Sequence, residues 1–204
     1  MKTNLIQTGA AVVLAATAHA AESTELNAIL ERMRDNNPKV RGEAWSQAAQ
    51  RGVTAIKPLA ALLDHAEVEV FRAAQRALSQ IVHQAGKPGA TEAAAAAKTL
   101  AQLLPESSPR ARRELLWLLS EIAGDSEVAP VAAWLSDAEL REDARLVLQR
   151  IPGDPSIKAL QKGLTTAPED FKPHLAQSLR ARGITVDGYP SEKLVPVKKT
   201  TVGG

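Results

Sequence analysis

The stretch of sequence that decides the fold reads LREDARLVL at residues 140–148. It places an apolar residue first, a cation next, a small residue four positions after the first, and another apolar residue four positions beyond that. The pattern, with a cation at the second position in all but one copy and a small or apolar residue at the middle one, occurs at five places, with starts 30, 41, 29 and 31 residues apart: Val40-Arg41-Ala44-Ala48, Val70-Phe71-Ala74-Leu78, Ala111-Arg112-Leu115-Leu119, Leu140-Arg141-Ala144-Leu148 and Phe171-Lys172-Leu175-Leu179. Apolar residues at i, i+4 and i+8 inside a repeat of this length are typical of stacked helical pairs. The sequence therefore predicts an all-α fold, an α-solenoid of about five helical pairs.

Turn-forming residues divide each unit into a first helix and a second helix that carries the pattern. In unit one we expect helices over residues 24–34 and 39–51, separated by Asp-Asn-Asn-Pro at 35–38 and closed by Gly52. Proline at the start of a helix and glycine after its end are the expected punctuation. In unit three, Ser108 is a predicted N-cap with Pro109 behind it. The linker Lys-Pro-Gly at 87–89 and the alanine-rich helix after it account for the spacing of 41.

The N-terminal residues read as a secretory signal peptide. Lys2 precedes an apolar run at residues 9–18, and Ala18-His19-Ala20 has the small-x-small form of a cleavage site. We therefore expect a signal peptide over residues 1–20, cleavage after Ala20, and a secreted or periplasmic protein. The run is shorter than the roughly 18 residues of a membrane-spanning helix, so we expect no membrane insertion after cleavage. The chain has no cysteine, which excludes disulfides, a lipid-modified cysteine and thiolate metal sites.

The predicted repeat domain covers residues 21–183. The residues after it, 184–204, contain glycine, proline and three lysines without helical periodicity. We expect a flexible basic tail there, and the alternative is an extended strand along the last repeat.

The charge of the chain is nearly balanced. The full chain has 25 basic and 23 acidic residues, and loss of Lys2 would leave 24 against 23. Binders of nucleic acid need a surplus of cations on one face, so we expect a protein partner and no nucleic acid. Aromatic residues are only 3% of the chain, which favours closely packed helices with essentially no strand.

The units resemble HEAT-like repeats, specifically the short variety of about 30 residues named after phycobilisome lyases. The resemblance rests on the apolar first helices, the acidic turns and the apolar-Arg step: Pro58, Leu59, Leu62 and Leu63; Pro130, Val131, Trp134 and Leu135; Val40-Arg41 and Leu140-Arg141; Ala144, Leu148 and Ile151. It implies a right-handed α–α superhelix whose second helices line a concave binding face. Units one and five depart from the pattern at Arg51 and Arg182, which suits terminal units without an outer neighbour.

Residues of the kinds that catalyse reactions or bind metals are present but isolated. His65, His83 and His174 have no second histidine three or four positions away, so we expect no metal site. The adjacent carboxylates at 142–143 and 169–170 suit helix starts, where the macrodipole favours negative charge. There is no phosphate-binding glycine loop or serine elbow. We therefore predict no catalytic residue, no cofactor and no enzymatic activity.

The candidate binding residues come from the predicted outer side of the second helices. One position recurs there as Ser46, Arg76, Trp117, Leu146 and Gln177, so Trp117 and Leu146 become neighbours. An exposed aromatic residue beside an aliphatic one has the composition of an interface anchor. The alternative is that Trp117 packs into the seam between units three and four. We assign the binding site to Trp117, Leu146, Arg76, Arg113, Asp143 and Arg150.

Two other sets of residues are predicted to be structural. Trp134 is predicted to be core, whereas Trp45 is either packed under the first unit or exposed. The repeated cations are expected to bind the carbonyls or an aspartate of the preceding turn: Arg41, Arg112, Arg141 and Lys172.

Together these observations favour an exported, non-enzymatic scaffold that binds a partner protein along the concave second-helix face. The resemblance also suggests a lyase-like or chromophore-handling protein, and a further alternative is a purely structural array. HEAT-like DNA repair enzymes are disfavoured by the predicted export and the balanced charge.

Overall fold

The computed structural model describes residues 20–189, which contain ten α-helices and no strand. Helix α1 covers residues 20–32. The other helices are α2 (Pro38–Ala49), α3 (Ile56–Ala61), α4 (Val68–Ala85), α5 (Ala93–Leu103), α6 (Pro109–Ile122), α7 (Val128–Ala132), α8 (Arg141–Arg150), α9 (Asp154–Thr166) and α10 (Lys172–Ala181). The predicted signal peptide, apart from its last residue, lies outside the described residues, as do residues 190–204 of the predicted tail.

The helices form two rows. The even-numbered helices contact one another in order, α2 with α4, α4 with α6, α6 with α8 and α8 with α10. Of the odd-numbered helices, α3 contacts α5, α5 contacts α7, and α7 contacts α9. In units two to five the second helix also packs on the first helix of its own unit, as α6 does on α5 and α10 on α9. The predicted all-α solenoid of helical pairs is confirmed.

The repeated pattern forms the seam between the two rows. All of its members except Val40 and those at the cation position are at most 1% exposed, including Ala44, Leu78, Leu119 and Leu148. Small side chains at the middle position let neighbouring helices approach closely, and leucines fill the space between them. The predicted register is therefore correct in every unit.

Local capping fixes where the second helices begin. The Asn37 side chain accepts a hydrogen bond from the Lys39 amide at 2.9 Å and so caps α2. Ser108 Oγ accepts one from the Ala111 amide at 3.1 Å, as predicted for the start of α6. Proline follows each cap at the first helical position. Its missing N–H costs nothing there, because that group has no partner within the helix.

In units two and four the first helix is short. Helices α3 and α7 have 6 and 5 residues, and each is flanked on both sides by 3₁₀ turns. Each contains a proline near its start, Pro58 or Pro130, which removes a backbone donor and favours tighter turns in the preceding residues. The first helices thus form an irregular row, and the second helices form the regular one.

The first residues after the last helix lie against the array. Ile184 donates its amide to Leu179 O at 3.0 Å, and Arg180 Nη2 donates to Val186 O at 2.8 Å and to Tyr189 O. Ile184 and Val186 pack on the core. Residues 184–189 are therefore held along α10 without forming a strand. Among the described helices, none combines the length and the apolar character that crossing a membrane requires.

Candidate functional site

The repeated cations join successive turns and units. Arg41 donates to Asp35 O at 2.7 Å and Asn36 O at 3.2 Å, and Arg112 donates to Leu104 O at 2.7 Å. These contacts with the preceding turn agree with the prediction. Arg141 pairs with Asp170 of the following unit at 2.6 Å, and Arg41 also reaches the equivalent residue of its following unit, Glu69, at 3.8 Å. Lys172 pairs with Glu169 in its own preceding turn.

Arginines also cover most of the aromatic rings. Each guanidinium comes from a unit adjacent to that of the ring, and the distances to the ring centroids are 4.0 Å for Arg110 over Phe71, 3.9 Å for Arg112 over Trp134, 4.7 Å for Arg141 over Phe171 and 5.4 Å for Arg150 over Trp117. Such cation–π contacts stabilise by about 0.5–1 kcal/mol at exposed sites. The stacks therefore add a second connection between neighbouring units, and of the four rings only Phe171 belongs to the apolar seam.

The three tryptophans occupy different environments. Trp45 is half-buried and packs against the core. Trp134, predicted to be core, is also only half-buried, because it lies in the 3₁₀ turn after the short helix α7 with Arg112 over its ring. Trp117 is 57% exposed and does not pack into the seam between units three and four. Of the three, Trp117 presents the most accessible aromatic surface.

Trp117 and Leu146 line a shallow groove between α6 and α8. Leu146 is 43% exposed, and the groove has a volume of about 90 Å³. Its lining comprises Leu116, Trp117, Ser120, Asp143, Leu146, Val147 and Arg150. Four of the residues assigned from the sequence, Trp117, Leu146, Asp143 and Arg150, thus lie together. Arg113 stands beside the groove, and Arg76 lies on the neighbouring helix α4.

The charged groups around the groove are paired across the two helices. Arg150 Nη1 donates to Ser120 Oγ at 2.9 Å and to the Glu121 carboxylate. Arg113 Nε donates to Asp143 Oδ2 at 3.3 Å, and its Nη2 donates to Glu139 O at 3.1 Å. These pairs hold α6 and α8 in register beneath the apolar surface. Sequence reasoning missed Ser120 and Glu121, although they follow Trp117 by three and four positions and so share its helix face.

Arg76 is the exception among these arginines. It occupies on α4 the position that Trp117 occupies on α6, and its side chain is exposed. It forms no ion pair or hydrogen bond with another residue in the part of the chain that the structure describes. Next to it, Gln75 Nε2 donates to Glu114 Oε2 at 2.8 Å and connects α4 to α6.

On the other side of Leu146, polar side chains join α8 to α10. Arg145 pairs with Glu142 within α8, and its Nη1 donates across to Ser178 Oγ at 2.5 Å. Ser178 Oγ in turn donates to Gln149 Oε1 at 2.8 Å. His174 contacts the same Glu142 carboxylate. Gln177, the last member of the predicted column, is exposed. The second-helix face, defined as the exposed side of α4, α6, α8 and α10, is therefore polar on both sides of the groove.

Arg182 has a different role from the one expected of a terminal unit. It is half-buried, and its Nη1 donates to Gln149 O at 3.2 Å and Ser156 Oγ at 3.0 Å while Nη2 donates to Gly153 O at 3.1 Å. Nη1 also donates to Ile151 O. A cation at the C-terminus of α8 satisfies free carbonyls and complements the helix dipole. The absence of an outer neighbour did not predict this role, in which Arg182 binds the inner neighbour, unit four.

Two ionisable groups outside the groove are perturbed. The hydrogen bond from Arg141 lowers the pKa of Asp170, and the hydrogen bond to Glu169 raises the pKa of Lys172. Both groups lie in unit five, where they favour the charged forms of the two ion pairs described above.

A larger and more open groove lies between α3 and α5. Its volume is about 570 Å³, and its lining includes Lys57, Pro58, Asp64, Leu103 and Glu106. It belongs to the first-helix row, away from Trp117. Within residues 20–189, no three histidine, aspartate or glutamate side chains are grouped so that they could hold a metal ion.

The two rows of stacked helices meet at a seam of buried pattern residues. The fold is an α-solenoid of helical pairs. This assignment rests on the packing of the chain's own helices.

Comparison with known proteins gives structural similarity only. No family model and no curated protein matches the chain. The complex of CpcE and CpcF of phycocyanin lyase from Nostoc sp. PCC7120 is similar over 78% of this chain and 99% of the matched chain, at 18% identity and a TM-score of 0.47. A designed armadillo repeat protein in complex with the peptide (KR)4 is similar over 80% and 84%, at 20% identity and a TM-score of 0.44. An engineered protein matches over 77% and 78%, at 21% identity and a TM-score of 0.41.

Proposed function

We propose that this protein is a non-enzymatic interaction scaffold that holds a segment of a partner protein on its second-helix face. The observation that carries the proposal is the exposure of Trp117 and Leu146 side by side. Among the described residues, Val68 at the start of α4 is the other large apolar side chain that is similarly exposed, and it lies outside the groove. Exposed apolar surface of this kind is found where proteins bind one another, and tryptophan is enriched among residues that dominate binding energy.

The support beneath the two side chains fits this role. Leu116 and Val147 are buried directly below the groove, and Arg113, Asp143, Arg150 and Glu121 join its two helices. A surface held in place before binding loses little conformational freedom when the partner arrives. The groove can therefore act as a preformed receptor for one apolar side chain.

The volume of the groove distinguishes this role from that of a chromophore handler. At about 90 Å³ it is well below the roughly 300–1,000 Å³ of typical small-molecule pockets. The groove between α3 and α5 has a suitable volume, about 570 Å³, but it is open. The lyase-like alternative would have to use that second groove, so the two roles require different surfaces.

Export from the cytoplasm is the second part of the proposal, and its support is the sequence of residues 1–20 alone. An apolar run of limited length followed by a small-x-small motif is the pattern that signal peptidase recognises. The partner would accordingly be an extracytoplasmic protein.

Affinity capture with the mature chain, residues 21–204, tests the proposal. The parent protein, W117A and V68A are each incubated with an extracytoplasmic extract. Val68 is a matched control because it is 49% exposed but lies at the start of α4, outside the groove. We expect one partner to be retained by the parent and by V68A and lost with W117A. Equal retention by W117A would contradict the proposal.

A further inference from the structure

We infer that the bound segment carries a carboxylate about three residues from its apolar anchor, and that Arg76 binds this carboxylate. The inference rests on the proposed function, because it assumes that the anchor occupies the groove of Trp117 and Leu146. It adds the charge of the bound segment and the position of that charge, which the groove alone does not define.

The distribution of ion pairs is the first argument. Along the second-helix face, Arg72 pairs with Glu69 at 2.7 Å, Arg113 with Asp143 at 3.3 Å and Arg145 with Glu142 at 2.6 Å. Arg150 pairs with Glu121. Arg76 alone among these arginines has no carboxylate partner within residues 20–189. An exposed guanidinium can form a bidentate, charge-assisted contact with an incoming carboxylate.

The carboxylates of the same face are already engaged. Asp143, Glu121 and Glu142 each accept from an arginine, and Glu114 is half-buried and accepts from Gln75. A basic segment would therefore compete with existing pairs and would meet the charge of Arg76. An acidic segment meets an available cation, so the complementarity favours the acidic one.

Geometry supplies the spacing. Arg76 and Trp117 hold equivalent positions on α4 and α6, which pack directly against each other. Axes of packed helices lie about 8–10 Å apart. An extended chain advances about 3.3 Å per residue, so a segment crossing the two helices places residues about three positions apart beside Arg76 and against the ring of Trp117, which is the α6 wall of the groove.

Peptide pools provide the test. Eight-residue peptides carry a fixed leucine, with Asp, Asn or Lys fixed three positions away on either side, and random residues elsewhere. Binding of each pool to the mature chain is measured by fluorescence polarisation at low salt. The proteins are the parent, R76E, R72Q and W117A. Arg72 is the matched control because it lies one turn from Arg76 and already pairs with Glu69.

We expect the parent and R72Q to bind the Asp pool about two- to fivefold more tightly than the Lys pool, as a single exposed ion pair supports. The preference should decrease with added salt. In R76E the order should reverse, and W117A should bind no pool.

The contrary results separate the inference from the proposed function. If R76E keeps the preference of the parent while W117A loses binding, the inference is wrong and the proposed function stands. If W117A binds as the parent does, both are wrong. If no pool binds and sedimentation shows self-association of the parent that W117A abolishes, the groove binds a second copy of the chain and the inference is overturned.

Discussion

The guanidinium of Arg150 lies 5.4 Å from the ring centroid of Trp117 and also donates to Ser120 Oγ at 2.9 Å. One side chain of α8 thus contacts both the ring and the polar flank of α6. The contact leaves more than half of the Trp117 surface exposed, at 57%. The ring is consequently oriented by its neighbour while its outer surface remains available for binding.

Replacing Trp117 by alanine should have little effect on folding. The exposed ring contributes mainly its stack with Arg150, so W117A should lower the free energy of unfolding by no more than about 1 kcal/mol. Helicity should be unchanged. Circular dichroism and a thermal melt measure both quantities. A loss of about 3–5 kcal/mol, typical of a core tryptophan, would show instead that the ring packs inside the array.

Two leucines of α8 provide a direct check on the register. Leu148 is fully buried and Leu146 is 43% exposed, although only one residue separates them. L148A creates a cavity and should cost about 2–5 kcal/mol in denaturant unfolding. L146A should cost less than about 1 kcal/mol, because its side chain is already partly hydrated. Equal effects would mean that the assigned faces of α8 are wrong.

Removal of Arg182 should destabilise the C-terminal units. The guanidinium binds several carbonyls at the end of α8, so R182A leaves acceptors unsatisfied and should cost about 1–3 kcal/mol. Arg76 is the control, because R76A removes an arginine with no described partner and should leave unfolding unchanged. If R182A unfolds at the same denaturant concentration as the parent, the C-terminal clamp does not contribute to stability.

The Asp170–Arg141 pair should make the free energy of unfolding depend on pH in the acidic range. The hydrogen bond from Arg141 lowers the pKa of Asp170 in the folded chain, so the folded state favours the carboxylate. This contribution is present above the unfolded pKa of about 3.9 and is lost as the pH falls through the folded value. Carbon NMR titration of the Asp170 carboxyl measures the folded pKa directly.

The matched variant for this titration is R141Q. We expect the pKa of Asp170 to rise towards its ordinary value when the guanidinium is removed. D170N should in turn reduce the loss of stability on acidification. An Asp170 pKa that is the same in the parent and in R141Q would show that the ion pair does not form in solution.

Export predicts a defined new N-terminus. Expression of the full chain in a bacterium with a periplasm should yield a processed protein that begins at Ala21. N-terminal sequencing or intact mass reports the cleavage site. Substituting a bulky residue for Ala20 should block processing, whereas the same substitution at Ala21 should be tolerated. An unprocessed cytoplasmic product would contradict the predicted localisation.

Periodic features of the sequence predicted the fold well because each helical position repeats the same environment. Ala144 and Leu148 are buried where the pattern placed them, and Ser108 caps α6 as expected. Such positions are decided by contacts within one helix or with the equivalent residue of the next. One sequence with five copies of the pattern contains enough information to infer them.

The contacts and the exposure of side chains that lie between two units were harder to predict. Arg41 contacts both its preceding turn and Glu69 of the following unit, at 3.8 Å, whereas Arg141 pairs with Asp170 of the following unit. The repeat places these cations at one position, but it does not predict which of the two turns each one contacts. Trp134 is half-buried because the short helix α7 ends before it. The exposure of Trp117 could not be decided either, since its position borders both the seam and the solvent. These outcomes depend on helix length and side-chain direction rather than on the repeat.

The arginine–aromatic stacks and the ion pairs described above join each unit only to its immediate neighbours. A contact system of this kind has no element that holds distant units together, so a whole unit could be inserted or removed at a turn without changing the interior of the others. The length of the second-helix face can therefore vary during evolution in steps of one helical pair. A longer partner segment would be accommodated by duplication of a unit rather than by redesign of the core.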